Sequence, residues 1–195
     1  MYHDMREIYW WSGMKRDIAE FVAKCSTCQQ VKIEHQKPSG SMQEFTIPTW
    51  KWEKVNMDFV TGLPRTRHQN DLVWVIIDRM TKSAHFLSIR TSFSAKDYAK
   101  LYIRKLVRLH GVPLSIISDR GTQLTSHFWK AFQKGLDTQV HLSAAFHPQT
   151  DGQVVRTIQT LEDMLSASAI DSKGSWDDHL ALIEFAYNNS YHSSI

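Results

Sequence analysis

A chain of 195 residues, 42% of them apolar, can bury a core of ordinary domain size and carry a short appendage besides. That balance excludes a disordered tail, no stretch approaches the roughly 18 apolar residues of a membrane span, and the N-terminus lacks the basic-then-apolar pattern of a secretory signal. With 23 basic and 20 acidic residues the net charge is +3, which permits nucleic-acid binding without demanding it, because the basic residues are spread along the chain. A soluble intracellular protein is the expectation.

From the N-terminus, an aromatic cluster (Tyr9, Trp10, Trp11) precedes a helix expected over Met14 to Lys24, with Ile18, Phe21 and Val22 at helical spacing. Both cysteines follow it as Cys25-Ser26-Thr27-Cys28, a spacing that suits metal binding better than a disulfide framework. Gln29 to Pro48 is polar and turn-rich, with Pro38, Ser39, Gly40 and Ser41 together, and reads as a linker. The organisation is therefore a small module over residues 1–30, a linker over 31–49 and a main domain over 50–195.

The main domain opens with Val55-Asn56-Met57-Asp58-Phe59-Val60, where Val55, Met57 and Phe59 share one face of a strand and Asp58 points from the other. Aspartate is disfavoured in strands, so Asp58 needs a reason. Leu72 to Ile77 is a continuous apolar run, as in a strand buried on both faces, and Ala84 to Arg90 makes a third strand after the turn Arg79 to Ser83. Short turns between three strands imply an antiparallel meander. Ser94 with Asp97 resembles a capping box, opening a helix with Tyr98, Leu101, Tyr102, Leu106 and Leu109 inward and Gly111 at its end. Leu114 to Ser118 is a short strand delivering Asp119. A helix over Ser126 to Leu136 (Phe128, Trp129, Phe132, Leu136) and a strand over Gln139 to Leu142 follow. Val154, Ile158, Leu161 and Leu165 mark a helix from Gly152 to about Ala169, and Ser175 caps a last one with Trp176, Leu180, Ile183 and Tyr187 inward. The order β-β-β-α-β-α-β-α describes an α/β fold with a mixed sheet flanked by helices.

Asp58 and Asp119 come from different strands and can converge only if those strands are neighbours. Hard divalent ions such as Mg²⁺ favour carboxylate oxygens, water and substrate phosphate, and two of them about 4 Å apart can activate a nucleophile and stabilise a leaving oxygen. On position alone, an aspartate after a strand serves as readily in a turn or a helix cap.

Several longer stretches carry a resemblance: Tyr9-Trp10-Trp11 with Gly13-Met14, the Cys25-to-Gln29 run, Met57-Asp58-Phe59-Val60-Thr61-Gly62-Leu63-Pro64 and Asp78-to-Phe86. Leu109-His110-Gly111-Val112-Pro113, Ser118-Asp119-Arg120-Gly121, His147-to-Gln153 and Trp176-to-Leu180 complete it. From Tyr9 to Ile195 the chain resembles the integrase of gypsy-type LTR retrotransposons. The resemblance implies an RNase H-like five-stranded mixed sheet and three carboxylates, Asp, Asp and Glu, holding Mg²⁺ or Mn²⁺ for 3′-end processing and strand transfer. The aspartates carry over to Asp58 and Asp119. The glutamate falls 35 residues beyond Asp119, where the family reads Asp-Gly-Gln-Ser-Glu-Arg and this chain reads Asp151-Gly152-Gln153-Val154-Val155-Arg156. Val155 cannot ligate a metal, and along a helix Asp151 and Glu162 are about 6 and 10 Å from it. The expectation is a weakened metal site and impaired catalysis on an intact fold; the alternative is an inactive DNA-binding or oligomerising relic, or a domesticated core.

Cys25 and Cys28 resemble half of the family's His-His-Cys-Cys zinc site. The histidine pair falls upstream of the segment at which the chain begins, and His3 is given no ligand role, so the site is incomplete and Zn²⁺ is expected in a longer form. Lys82, Arg120, His147, Gln149, Thr150 and Arg156 are the candidate nucleic-acid contacts. Trp50, Trp52, Trp74 and Trp129 read as core or interface aromatics, and His85 and His110 as structural. The resemblance further implies DNA as partner (element ends and target), a homo-oligomer, no membrane, and residence in nucleus and cytoplasm.

Overall fold

The computed structural model describes residues 1–31, 48–118, 126–142, 148–171 and 175–191. Three helices lead: α1 (Tyr2–Arg6), α2 (Met14–Lys24) and α3 (Ser26–Val31). The α2 bounds match those expected from periodicity. Its inner face is set by Met14 and Ile18, whereas Phe21 is exposed; α3 occupies the start of the stretch read as linker, and residues 32–47 lie outside those described.

The strands are β1 (Lys54–Val60), β2 (Leu72–Asp78), β3 (Ala84–Ile89), β4 (Ser115–Ser118) and β5 (Gln139–Leu142), in the sheet order β3-β2-β1-β4-β5. The meander is antiparallel, with Val55 opposite Asp78 and Leu72 opposite Ile89; β4 joins β1 in parallel, Lys54 to Met57 facing Ser115 to Ser118, and β5 joins β4 in parallel. All seven β2 residues are buried, as the apolar run requires. Trp74 and Ile76 enter one core cluster; Val73, Val75 and Ile77 enter the other.

The first cluster is closed by α4 (Ala95–Tyr102) and α5 (His127–Gly135), the second by α6 (Pro148–Asp171) and α7 (Trp176–Asn189). The Ser94 hydroxyl accepts the Asp97 N–H and the Asp97 carboxylate accepts the Ser94 N–H, which closes the expected capping box. Beyond Tyr102 the helix widens into a π segment, Ile103–Val107, before a last turn, Arg108–His110. The extra residue per turn shifts the phase. Leu106 stays buried while Leu109, expected inward, is 52% exposed. Gly111 ends the run at φ +82°, a value costly for any residue with a Cβ. In α5, Trp129 is buried but Phe128 turns outward. The long helix α6 starts at Pro148, not Gly152, because proline's fixed φ and missing N–H suit a first helical turn.

An exposed edge strand invites pairing with another chain. Helix α7 covers that of β3: Asn188 accepts from the Ala84 N–H (2.8 Å) and donates to the Ala84 carbonyl (2.9 Å), and Glu184 accepts from the Phe86 N–H (2.8 Å).

Candidate active site

Alternation along β1 places Asn56, Asp58 and Val60 on the face toward α6 and α7, and Val55 and Met57 on the other. Asp58 is half-buried and its Oδ1 accepts the N–H of Phe59 at 2.8 Å. Its position in the sheet is decided by β4. That strand runs parallel to β1, and its last described residue, Ser118, pairs with Met57, one residue short of Asp58. Asp119 is next in the chain and, with Arg120, lies outside the described residues. The condition for two aspartates to converge, that their strands be neighbours, is met by β1 and β4.

Helix α6 packs against β1 and carries position 155 two turns from its start. The side chains of Gln149, Thr150, Asp151 and Val155 lie outside those described, as does His147; the backbone puts 149 and 150 in the helix's first turn. Arg156 is exposed. Lys82 lies elsewhere, in the β2–β3 turn at the end of the sheet where β1 begins. There its Nζ donates to the Arg79 carbonyl at 2.7 Å, and burial, then the neighbouring Arg79 cation, lower its pKa. The fold thus brings β4 and α6 against β1, the strand that carries Asp58, and leaves Lys82 at the other end.

Cys25 caps the C-terminus of α2 and Cys28 sits in α3. They form no disulfide, and the Cys28 N–H donates to the Cys25 sulfur at 3.4 Å. That is a compact turn presenting two sulfurs, suited to a soft cation. The His3 ring stacks on Tyr191, with centroids 4.3 Å apart.

Sequence reasoning missed three features. Asp78, fully buried at the end of β2, accepts from Trp52 N–H (3.1 Å), Met80 N–H (3.2 Å), Thr81 N–H (2.9 Å) and the Thr81 hydroxyl (2.6 Å). An aspartate ending an apolar run, with a threonine three residues on, was the available signal. Asn56 is 1% exposed and neither amide atom has a partner among the described residues. Asp177 ties α7 to the β1–β2 loop, accepting from Asn70 (3.0 Å) and meeting His68 Nδ1 at 3.1 Å. Burial would raise its pKa, but the hydrogen bonds from Ser175, Asn70, Thr66 and His68 outweigh this and bring it down to about 2. With Asp178 these two form the group of three potential metal ligands found among the described residues, their ligand atoms within 4.8 Å of one another. The Asp177 contacts give that group a structural role.

A five-stranded mixed sheet flanked by helices is the fold of retroviral integrase catalytic cores. The core of BIV integrase superposes with a TM-score of 0.58 at 20% identity over 73% of this chain and 87% of that one. The HTLV-2 integrase core, solved with magnesium in a dimeric form, gives 0.60 at 14% identity over 75% and 94%. Residues 1–34 match the integrase zinc binding domain family. The Tf2-3 and Tf2-4 transposon polyproteins of Schizosaccharomyces pombe are each 35% identical over 184 residues, 94% of this chain and 14% of the polyprotein. The chain thus spans about one seventh of the curated relatives it matches. These findings bear out the resemblance to integrases of gypsy-type LTR retrotransposons across nearly the whole chain. Among the described residues no helix is long and apolar enough to cross a membrane.

Proposed function

We propose that this chain is an integrase unit, organised as a zinc-binding module over residues 1–30, a linker over 31–49 and a catalytic core over 50–195. It engages DNA as an oligomer, and its strand-transfer chemistry is impaired. The observation that carries this reading is the pairing of β1 with β4 beside α6, which sets Asp58 one register step from the last described β4 residue. Asp58 and Asp119 are the residues that would hold Mg²⁺ or Mn²⁺. When bound, such ions activate an attacking oxygen and stabilise the leaving one. The protein's own part is to keep Asp58 fixed, through its bond to the Phe59 N–H, on a strand buried between two helical layers. Val155 supplies no oxygen to the set, so affinity for the ions falls and the reaction slows. Cys25 and Cys28 would give two thiolates to zinc.

Arg120, His147, Gln149, Thr150 and Arg156 surround this site in the chain and are the proposed DNA contacts, with Lys82 a more distant one. Binding should be electrostatic and weaken as salt rises. The test has two parts. Fluorescence anisotropy should detect salt-sensitive binding to duplex DNA, and Mn²⁺ should raise the melting temperature slightly in the chain but not in Asp58→Asn. Absence of both would overturn the reading. Val155 also favours a second reading, a DNA-binding relic or domesticated core, which would bind DNA and remain inert with every ion.

A further inference from the structure

A group of aromatic and ionisable side chains sits at the β3 edge of the sheet, where His85 lies level with Met57. His85, on β3, meets His110, the last residue of the helical run from α4, with the two Nε2 atoms 2.8 Å apart. His85 Nδ1 lies 3.0 Å from Glu184 Oε1 on α7. Trp52, just before β1, stacks on both rings, at 3.9 Å and 12° to His110 and 5.1 Å and 25° to His85. Four segments far apart in the chain therefore meet at two imidazoles. Trp52 is itself held at φ +62°, an unfavourable value for a residue with a Cβ, with its N–H on Asp78.

The geometry decides what the pair can hold. The 5.1 Å between ring centroids is the Nε2 separation plus the two ring radii, so the nitrogens meet head-on. A metal between them would need about 3.3 Å or more. A proton fits. With Glu184 ionised, His85 Nδ1 carries the proton facing it, so in the neutral pair His85 Nε2 accepts and His110 Nε2 donates. One added proton goes to His110 Nδ1 and leaves the N–H···N bond intact. A second must go to His85 Nε2, and sets N–H against N–H between two cations.

We propose that His85 and His110 form an acid-sensitive latch, which clamps the segment entering β1 to the β3 edge while the rings share at most one added proton and releases it when both are charged.

The surroundings supply both signs. Asp78 at the end of β2 favours charge on His110, and Glu184 on α7 faces His85. Arg79 and Lys82 occupy the β2–β3 turn, and Arg104 and Lys105 of the π segment line the groove beside His85. Asp177 lines the far side of that groove. For His110 burial, and then His85, outweigh Asp78 and lower the pKa from its ordinary 6.5. A histidine with a depressed folded pKa binds fewer protons than in the unfolded chain, so its contribution to stability is complete above 6.5 and is lost as pH falls below it.

The test is thermal unfolding of the full chain between pH 8 and 5. His110→Phe keeps a ring against Trp52 but takes no proton. It should melt with a pH 7 to pH 5 loss about 3 °C smaller than the parent's, while the exposed-site control His127→Phe keeps the parental loss. An unchanged loss in His110→Phe would overturn the latch. Because that variant could fail to fold, the parent is also followed by ¹⁵N-histidine NMR. A His110 ring that gains its proton below its ordinary 6.5 is expected; one that gains it at 6.5 would equally overturn the proposal.

Discussion

Replacing Asp78 with alanine should be among the most damaging changes outside the apolar core. Its fully buried carboxylate accepts four hydrogen bonds, three from backbone N–H groups at the start of β1 and in the β2–β3 turn. Alanine leaves those donors without an acceptor. Hydrogen bonds to a charged group contribute about 1.5 kcal/mol or more each, and an orphaned buried donor costs about as much. Allowing for relaxation of the turn, the loss should be about 4 kcal/mol. Asp78→Asn keeps the oxygen facing Trp52 and Met80 and turns an NH₂ toward Thr81, so about half that loss is expected. Urea unfolding followed by tryptophan fluorescence measures both. At an m value of about 2.5 kcal/mol/M, alanine should lower the midpoint by about 1.5 M and asparagine by roughly half as much, with m unchanged. A midpoint for Asp78→Ala within 0.2 M of the parent's, roughly 0.5 kcal/mol, would refute the idea that this carboxylate holds the turn and the positive-φ Trp52 in place.

Two further stability predictions follow from the buried polar groups. Asp177 has a depressed folded pKa, so its contribution is complete above the ordinary 3.8 and disappears as pH falls toward about 2. Asp177→Asn should therefore cost roughly 2 kcal/mol at pH 6 and little at pH 2, measured by denaturant midpoints at the two values; equal losses would contradict it. Asn56, whose amide has no partner between Ile77 and Ile117, should gain stability when changed to valine, by about 1 kcal/mol. A destabilisation of that size in the same unfolding assay would mean the amide is satisfied in solution.

Much of the fold could be read from local pattern. The apolar run of β2, the alternation that turns Asp58 away from Met57, and the Ser94–Asp97 box are signals written within a few residues of where they act. What escaped depends on partners far along the chain or on helix phase. Nothing near Leu109 announces the π segment that turns it outward. The cover of the β3 edge by Glu184 and Asn188, and the meeting of His85 with His110 under Trp52, join residues 25 to 104 apart. Pro148 marked the start of α6, but the Gly152 that follows suggested a later one. For the site, periodicity supplied the face of Asp58 and no more; its association with Asp119 and position 155 came from the resemblance, and β1–β4 pairing meets only the condition that the two aspartates' strands be neighbours.

The central claim is that one missing carboxylate, at Val155, separates this chain from an active integrase. Strand transfer of a labelled element-end duplex into target DNA, with Mn²⁺, compares the chain with Val155→Glu and with Val155→Glu carrying Asp58→Asn. Product from Val155→Glu alone is predicted, at least about 100-fold above the other two, equivalent to roughly 2.7 kcal/mol of transition-state stabilisation. Equal activity in the parent and the revertant, or activity that survives Asp58→Asn, would contradict the account.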